Sequence, residues 1–192
     1  MDRVFTFFAK KKAGTELSNF FECYVEIAFN GLKLFKYNSG ESAYHGMKYI
    51  TIAYNINDDN RKKILINYGE KFEIDGEFGN LSQNEIKKKG GKKGFKLEEY
   101  EREQWNILSI DIQKQICLYK FNNYSNIKDV LLSTKGKILI HPAMRVSIEK
   151  VKDRLWEGRA IINPETNKLE VIGQNMLGKI WMEIRDTHVI PS

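Results

Sequence analysis

At 192 residues the chain is long enough to bury a substantial core, and one domain is the default expectation. A hydrophobic share of 42% with 12% aromatics excludes a disordered chain, and three prolines against fourteen glycines exclude the fibrous classes. With 31 basic and 25 acidic side chains the net charge is +6, a mild bias towards phosphate-bearing partners that identifies none of them.

The start, MDRVFTFFAKKK, has an apolar run too short for a secretory signal, and its lysines follow that run instead of preceding it. No apolar stretch approaches the roughly 18–20 residues of a membrane span, so a soluble protein without a membrane partner is expected. Cys23 and Cys117 are the only cysteines and lack CxxC spacing. They suggest neither a disulfide framework nor a zinc site, and they fit a reducing, cytoplasmic compartment. Three scattered histidines make a transition-metal site, and hence a metal cofactor, unexpected.

Residues 4–8 and 23–29 read as strands, being short, aromatic and β-branched. Asn30-Gly31 signals a turn, with residues 32–35 as the returning strand of a hairpin. Ser39 predicts an N-cap for a helix over 40–54. Residues 58–60 read as a loop and 61–68 as a short helix. The glycine- and acid-rich stretch 69–82 reads as irregular. The run IKKKGGKKGFK, 86–96, reads as a solvated basic loop, with phosphate contact as the alternative. Its spacing matches no P-loop.

The strongest helical pattern covers 97–119, where Trp105, Leu108, Ile112, Ile116 and Tyr119 form one apolar stripe. A second helix is expected over 125–132 and a strand over 137–140. A last helix starts near Gln174, with Leu177, Ile180, Trp181 and Ile184 on one face. Strands first and helices later suggest an α+β fold: a single compact domain, mainly helical, around a small β-sheet.

The helix over 40–54 raises the functional question. At about 100° per residue, Glu41, Tyr44, His45 and Lys48 share one face, with Ala43, Met47 and Ile50 opposite. A polar row opposite an apolar stripe usually faces solvent. The alternative is the wall of a reaction site, in which a carboxylate stabilises positive charge or activates water and a lysine binds phosphate or attacks a carbonyl. Elsewhere, Trp105 on its stripe reads as a core residue. Asp153 and Trp156, in a charged, glycine-containing segment, suit a binding loop. Asn175 reads as a helix cap and Asn19 as a turn residue. No GxSxG, HExxH or dinucleotide motif is present.

Taken in order, these segments resemble the NADAR family (NAD- and ADP-ribose-associated), which includes riboflavin-biosynthesis-associated N-glycosidases. The aromatic-rich start and Ser18-Asn19-Phe20 resemble the family's first signature. Glu41, Tyr44 and Lys48 match its Glu-x-x-Tyr-x-x-x-Lys helix, and Arg102 and Trp105 its Arg-x-x-Trp, with Lys120-Phe121 at the helix end. Leu131, Leu132 and Thr134 match Leu-Leu-x-Thr; Asp153 and Trp156 match Asp-x-x-Trp. Asn175, Leu177 and Gly178, then Met182, Ile184 and Arg185, match the closing pattern. The resemblance covers about residues 5–186. The chain departs from the family at His45, where Gln is common, in lacking a clean Gly-Arg ahead of Arg102, and in Glu157-Gly158-Arg159 after Trp156. The segment 70–89 also looks longer than is typical.

The resemblance implies metal-independent hydrolysis of an N-glycosidic bond at ribose C1′, with no cofactor. Its implied substrates are ADP-ribose on a base, including guanine in DNA, or a phosphoribosylated aminopyrimidine of riboflavin synthesis. It implies Glu41, Lys48 and Asp153 as catalytic residues, with Asn19, Tyr44, Trp105, Trp156 and Asn175 binding substrate. The rival class is a non-catalytic module that binds ADP-ribose or a related nucleotide. A third reading is a nucleic-acid-binding domain that uses the lysine-rich run 87–96.

Overall fold

The computed structural model describes residues 3–9, 13–31 and 33–188. In chain order the elements are β1 (Val4–Thr6), a 3-10 turn (Thr15–Leu17), β2 (Glu22–Phe29), β3 (Lys33–Ser39), α1 (Gly40–Ala53), α2 (Asp59–Glu70), α3 (Gln83–Gly90), α4 (Glu99–Asn123), α5 (Ser125–Leu132), β4 (Ile138–Ile140), α6 (Ile148–Val151), β5 (Arg159–Ile162), β6 (Leu169–Ile172) and α7 (Met176–His188). Helices dominate, and the strands among the described residues pair as three two-stranded sheets, an α+β fold. The chain divides into two compact units, one formed by the residues up to Ser18 and from Phe121 onward, the other by Asn19–Lys120.

In the unit Asn19–Lys120, β2 and β3 form an antiparallel hairpin. Val25 pairs with Tyr37 and Ile27 with Phe35, and all four side chains are buried, as alternation on one packed face requires. Asn30 and Gly31 turn the chain with φ of 50° and 66°, the left-handed backbone that the Asn-Gly pair signals. Leu32, the expected start of the returning strand, lies outside the described residues; the strand runs on to Ser39. There the Ser39 hydroxyl accepts from the Ser42 amide at 3.1 Å and opens α1.

α2 starts at Asp59, ahead of the expected 61, because the Asp58 carboxylate accepts from the amides of Asn60 and Arg61 and makes the loop residue a cap. The irregular stretch that follows is pinned by buried Phe72 and Phe78. These join Tyr49, Tyr68 and Phe95 in one aromatic cluster, with ring centroids 4.8–6.1 Å apart.

The basic run 86–96 is only partly a loop, which corrects the sequence reading. Its first half is the end of α3, begun by a Ser-x-x-Glu box in which the Glu85 carboxylate accepts from the Ser82 amide at 3.0 Å. Lys87, Lys88 and Lys89 occupy the last turn, where cations complement the helix dipole. α4 is fastened to α2 by Arg61, whose Nε and Nη2 each lie 2.7 Å from an oxygen of solvent-inaccessible Glu101.

In the other unit, β1 and β4 pair in parallel, Val4 with Ile138 and Thr6 with Ile140. The apolar face of α7 is buried as expected through Leu177, Ile180, Trp181 and Ile184, and the Trp181 indole donates to the Leu17 carbonyl at 3.0 Å. Arg185, almost wholly buried, donates to the carbonyls of Thr134 and Lys137 at 2.8 Å each. Two family-matching positions thus tie α7 to the end of α5. The β5–β6 hairpin was not expected. It is closed by a turn in which the Asn163 side chain accepts from the amides of Glu165 and Thr166.

Candidate functional site

Every residue of α1 except Tyr44 is buried. The polar row is therefore not the wet face of an amphipathic helix. Glu41, His45 and Lys48 are each 8% exposed; His45 lies against Phe72, and Lys48 reaches the end of α3. Buried ionisable groups cost free energy unless they are paired or used. Three on successive turns of one helix mark this face as the candidate site.

Glu41 sits in the first turn of α1, where the helix dipole favours a carboxylate. Its backbone N–H donates to the Asn19 carbonyl at 2.9 Å. Its carboxylate Oε1 lies 3.2 Å from Nε2 of His45, one turn along. Lys48, two turns along from Glu41, donates from Nζ to the Gly90 carbonyl at the end of α3. The ammonium also lies 4.6 Å from the centroid of the Tyr49 ring. Burial lowers the Lys48 pKa to about 8, with the Glu41 charge acting in the opposite direction. The lowered pKa brings the neutral, nucleophilic amine within reach near neutral pH.

Gly90 joins the two contacts. A Cβ there would stand 2.1 Å from Cγ of His45, so only a bare Cα lets α3 close on the imidazole while its carbonyl meets Lys48.

Tyr44, the one partly exposed member of the row, meets Trp105 edge-on at 5.0 Å between centroids. Trp105 itself is 8% exposed. The Asn19 side chain forms a reciprocal amide pair with Gln113, at 2.7 and 3.0 Å, and so locks the entry to α1 onto α4. One amide hydrogen of Asn19 is left outside that pair. Gln113 was not singled out by the sequence. It sits one position beyond stripe residue Ile112, and a Gln beside the apolar stripe was the only signal the sequence carried.

Glu41, Tyr44, Lys48, Trp105 and Asn19 thus belong to one unit. Asp153, Trp156 and Asn175 belong to the other. Asp153 is exposed in the turn after α6, and Trp156 is half-buried. Asn175 is 1% exposed with a left-handed φ of 49°. Its side chain donates to the Leu139 carbonyl at 2.8 Å and accepts from the His141 amide at 3.1 Å, which engages it with the backbone around β4.

That unit also contains a cleft of about 740 Å³, lined among others by Val4, Ile140, Arg159, Ile161 and Leu169. None of the expected site residues lines it, and it holds no carboxylate, so the chemistry of α1 and not cavity size selects the candidate site. Among the described residues, no three His, Cys, Asp or Glu side chains group in a way that would hold a metal ion, and no helix is long and apolar enough to cross a membrane.

Residues 6–188 match the model of the NADAR domain, so the chain belongs to the NADAR family. That family is associated with N-glycosidase activity. Among solved structures, the NMR structure of the E. coli protein YbiA is similar, with a TM-score of 0.57 over 97% of this chain and 85% of that one. At 15% identity that likeness concerns the fold alone. The comparison with curated proteins gave no match.

Proposed function

We propose that the protein is an N-glycosidase that hydrolyses the bond between ribose C1′ and a base, with ADP-ribose on guanine in DNA, or a related nucleotide, as substrate. The observation that carries the reading is the buried row on α1, in which Glu41 and a Lys48 of lowered pKa are held two turns apart in a chain of this family. Departure of the base develops positive charge on the sugar, as in glycoside cleavage. The Glu41 carboxylate stabilises that charge and takes a proton from the attacking water. The C1′–N bond breaks, its electron pair leaves with the base, the base gains a proton, and water's oxygen ends on C1′.

Lys48 supports a covalent variant of the same reaction. The neutral Nζ attacks C1′, the base departs with the bonding pair, and the sugar ring opens to a Schiff base. Water then hydrolyses that Schiff base and restores the amine. Donation of one N–H to Gly90 orients Nζ while leaving its lone pair for the attack. Tyr44 and Trp105 supply an aromatic wall for the base, a contact worth about 1–3 kcal/mol.

The test is chromatographic detection of ADP-ribose freed from ADP-ribosylated DNA and of the aminopyrimidine freed from a phosphoribosylaminopyrimidine, with wild type and Glu41→Ala. Release by wild type and none by folded Glu41→Ala is the expected result. Release from the aminopyrimidine alone reassigns the substrate, and release from neither moves the protein to the ADP-ribose-binding class.

A further inference from the structure

We infer that His45 is a positioning residue for Glu41, its Nε2–H donating to the carboxylate and fixing the direction in which the carboxylate oxygens face. The functional half of this inference rests on the proposed role of Glu41; the structural half does not.

The imidazole is held on several sides. Nε2 lies 3.2 Å from Glu41 Oε1. The ring meets Tyr44 at 5.6 Å and Phe72 at 6.2 Å between centroids, and Gly90 closes over Cβ, Cγ and Nδ1. A side chain packed in this way has little freedom to swing out of the contact.

The proton can also be placed. An ionised carboxylate only accepts, so the nitrogen facing it must donate. Nδ1 is buried and has no hydrogen-bond partner among the described residues. A proton there would be a buried donor without an acceptor, whereas a proton on Nε2 has Glu41. The bare Nδ1 is what the close approach of Gly90 leaves room for. His45 therefore works as a fixed donor, and nothing in the arrangement asks it to exchange protons with substrate.

Chain length supplies the test. A glutamine at 45 carries its amide nitrogen as many bonds from Cα as Nε2 and reaches Glu41. An asparagine carries it only as far as Nδ1 and does not. Both variants keep a neutral polar group in the space. His45→Gln is expected to retain kcat within about threefold of wild type. His45→Asn is expected to lose about tenfold or more in kcat at little-changed KM, the loss of one hydrogen bond to a charged group. Equal kcat in the two folded variants would overturn the positioning role. Spectra of the 15N-histidine-labelled protein decide the structural half without any substrate: an Nε2–H signal is expected for His45, and an Nδ1–H signal overturns it. Absence of substrate cleavage by wild type would instead refute the proposed activity, and the labelled spectra would still settle the proton's place.

Discussion

Lys48→Met should make the protein more stable near neutral pH. The unfolded chain holds the lysine proton up to its ordinary pKa of 10.5, whereas the folded chain releases it at about 8. Between those values the unfolded state binds more protons, so stability rises with pH across that window. Below about pH 8 the full penalty of burying the ammonium is present. The difference between 10.5 and about 8 corresponds to roughly 3 kcal/mol. Methionine keeps the volume of the stem and removes the charge, but it forfeits the bond to the Gly90 carbonyl and the contact with the Tyr49 ring, together about 1–2 kcal/mol. The net expectation at pH 7 is a gain of about 1–2 kcal/mol. Urea unfolding of both proteins at pH 7 and 9.5 measures it, and an unchanged m-value shows that the same surface is exposed. The advantage of the variant should shrink by about 2 kcal/mol between the two pH values, as wild type sheds its penalty. A variant less stable than wild type at pH 7, or a difference that does not move with pH, would refute the view of Lys48 as a strained group kept for chemistry.

Lys48→Arg keeps a charge at this position but cannot form a Schiff base; loss of at least a hundredfold in turnover is expected if the amine attacks C1′, and near-normal turnover would exclude the covalent variant. Arg61→Ala strands the Glu101 carboxylate, and unfolding free energy at pH 7 should fall by about 3 kcal/mol, the low end for a buried pair because Arg61 is itself partly exposed. Burial works to raise the Glu101 pKa, but the hydrogen bonds from Arg61 and the Glu98 amide, together with the Arg61 charge, outweigh it and hold the carboxyl below its ordinary value. The stabilisation is therefore present above that ordinary value and is lost as pH falls through the folded one, so the gap between wild type and Arg61→Ala should narrow in acid urea titrations.

Local chemistry explains which parts of this fold were legible. Ser39 and Asn30-Gly31 act through their own backbone geometry, so the hairpin and the start of α1 could be read directly. The surroundings of α1 could not, because the spacing of Glu41, Tyr44, His45 and Lys48 is that of any solvated helix face. Only the packing of Phe72, Trp105 and Gly90 against that row buries it. The lysine run misled because charge suggested a loop, while the Ser82–Glu85 box beside it carried the stronger helical signal. The β5–β6 hairpin was also readable: Arg159–Ile162 and Leu169–Ile172 are short β-branched runs around Asn163-Pro164, a turn signal. Asn19 and Asn175 show a different limit. Sequence places an amide, but its partners, Gln113 for one and the backbone around β4 for the other, come from distant parts of the chain.

The most direct measurement of the central claim is release of ADP-ribose from ADP-ribosylated DNA by wild type and Glu41→Ala, each shown to be folded by its thermal melt. The account predicts free guanine-containing DNA and released ADP-ribose with wild type and neither product with the variant. Equal release by the folded variant would contradict it.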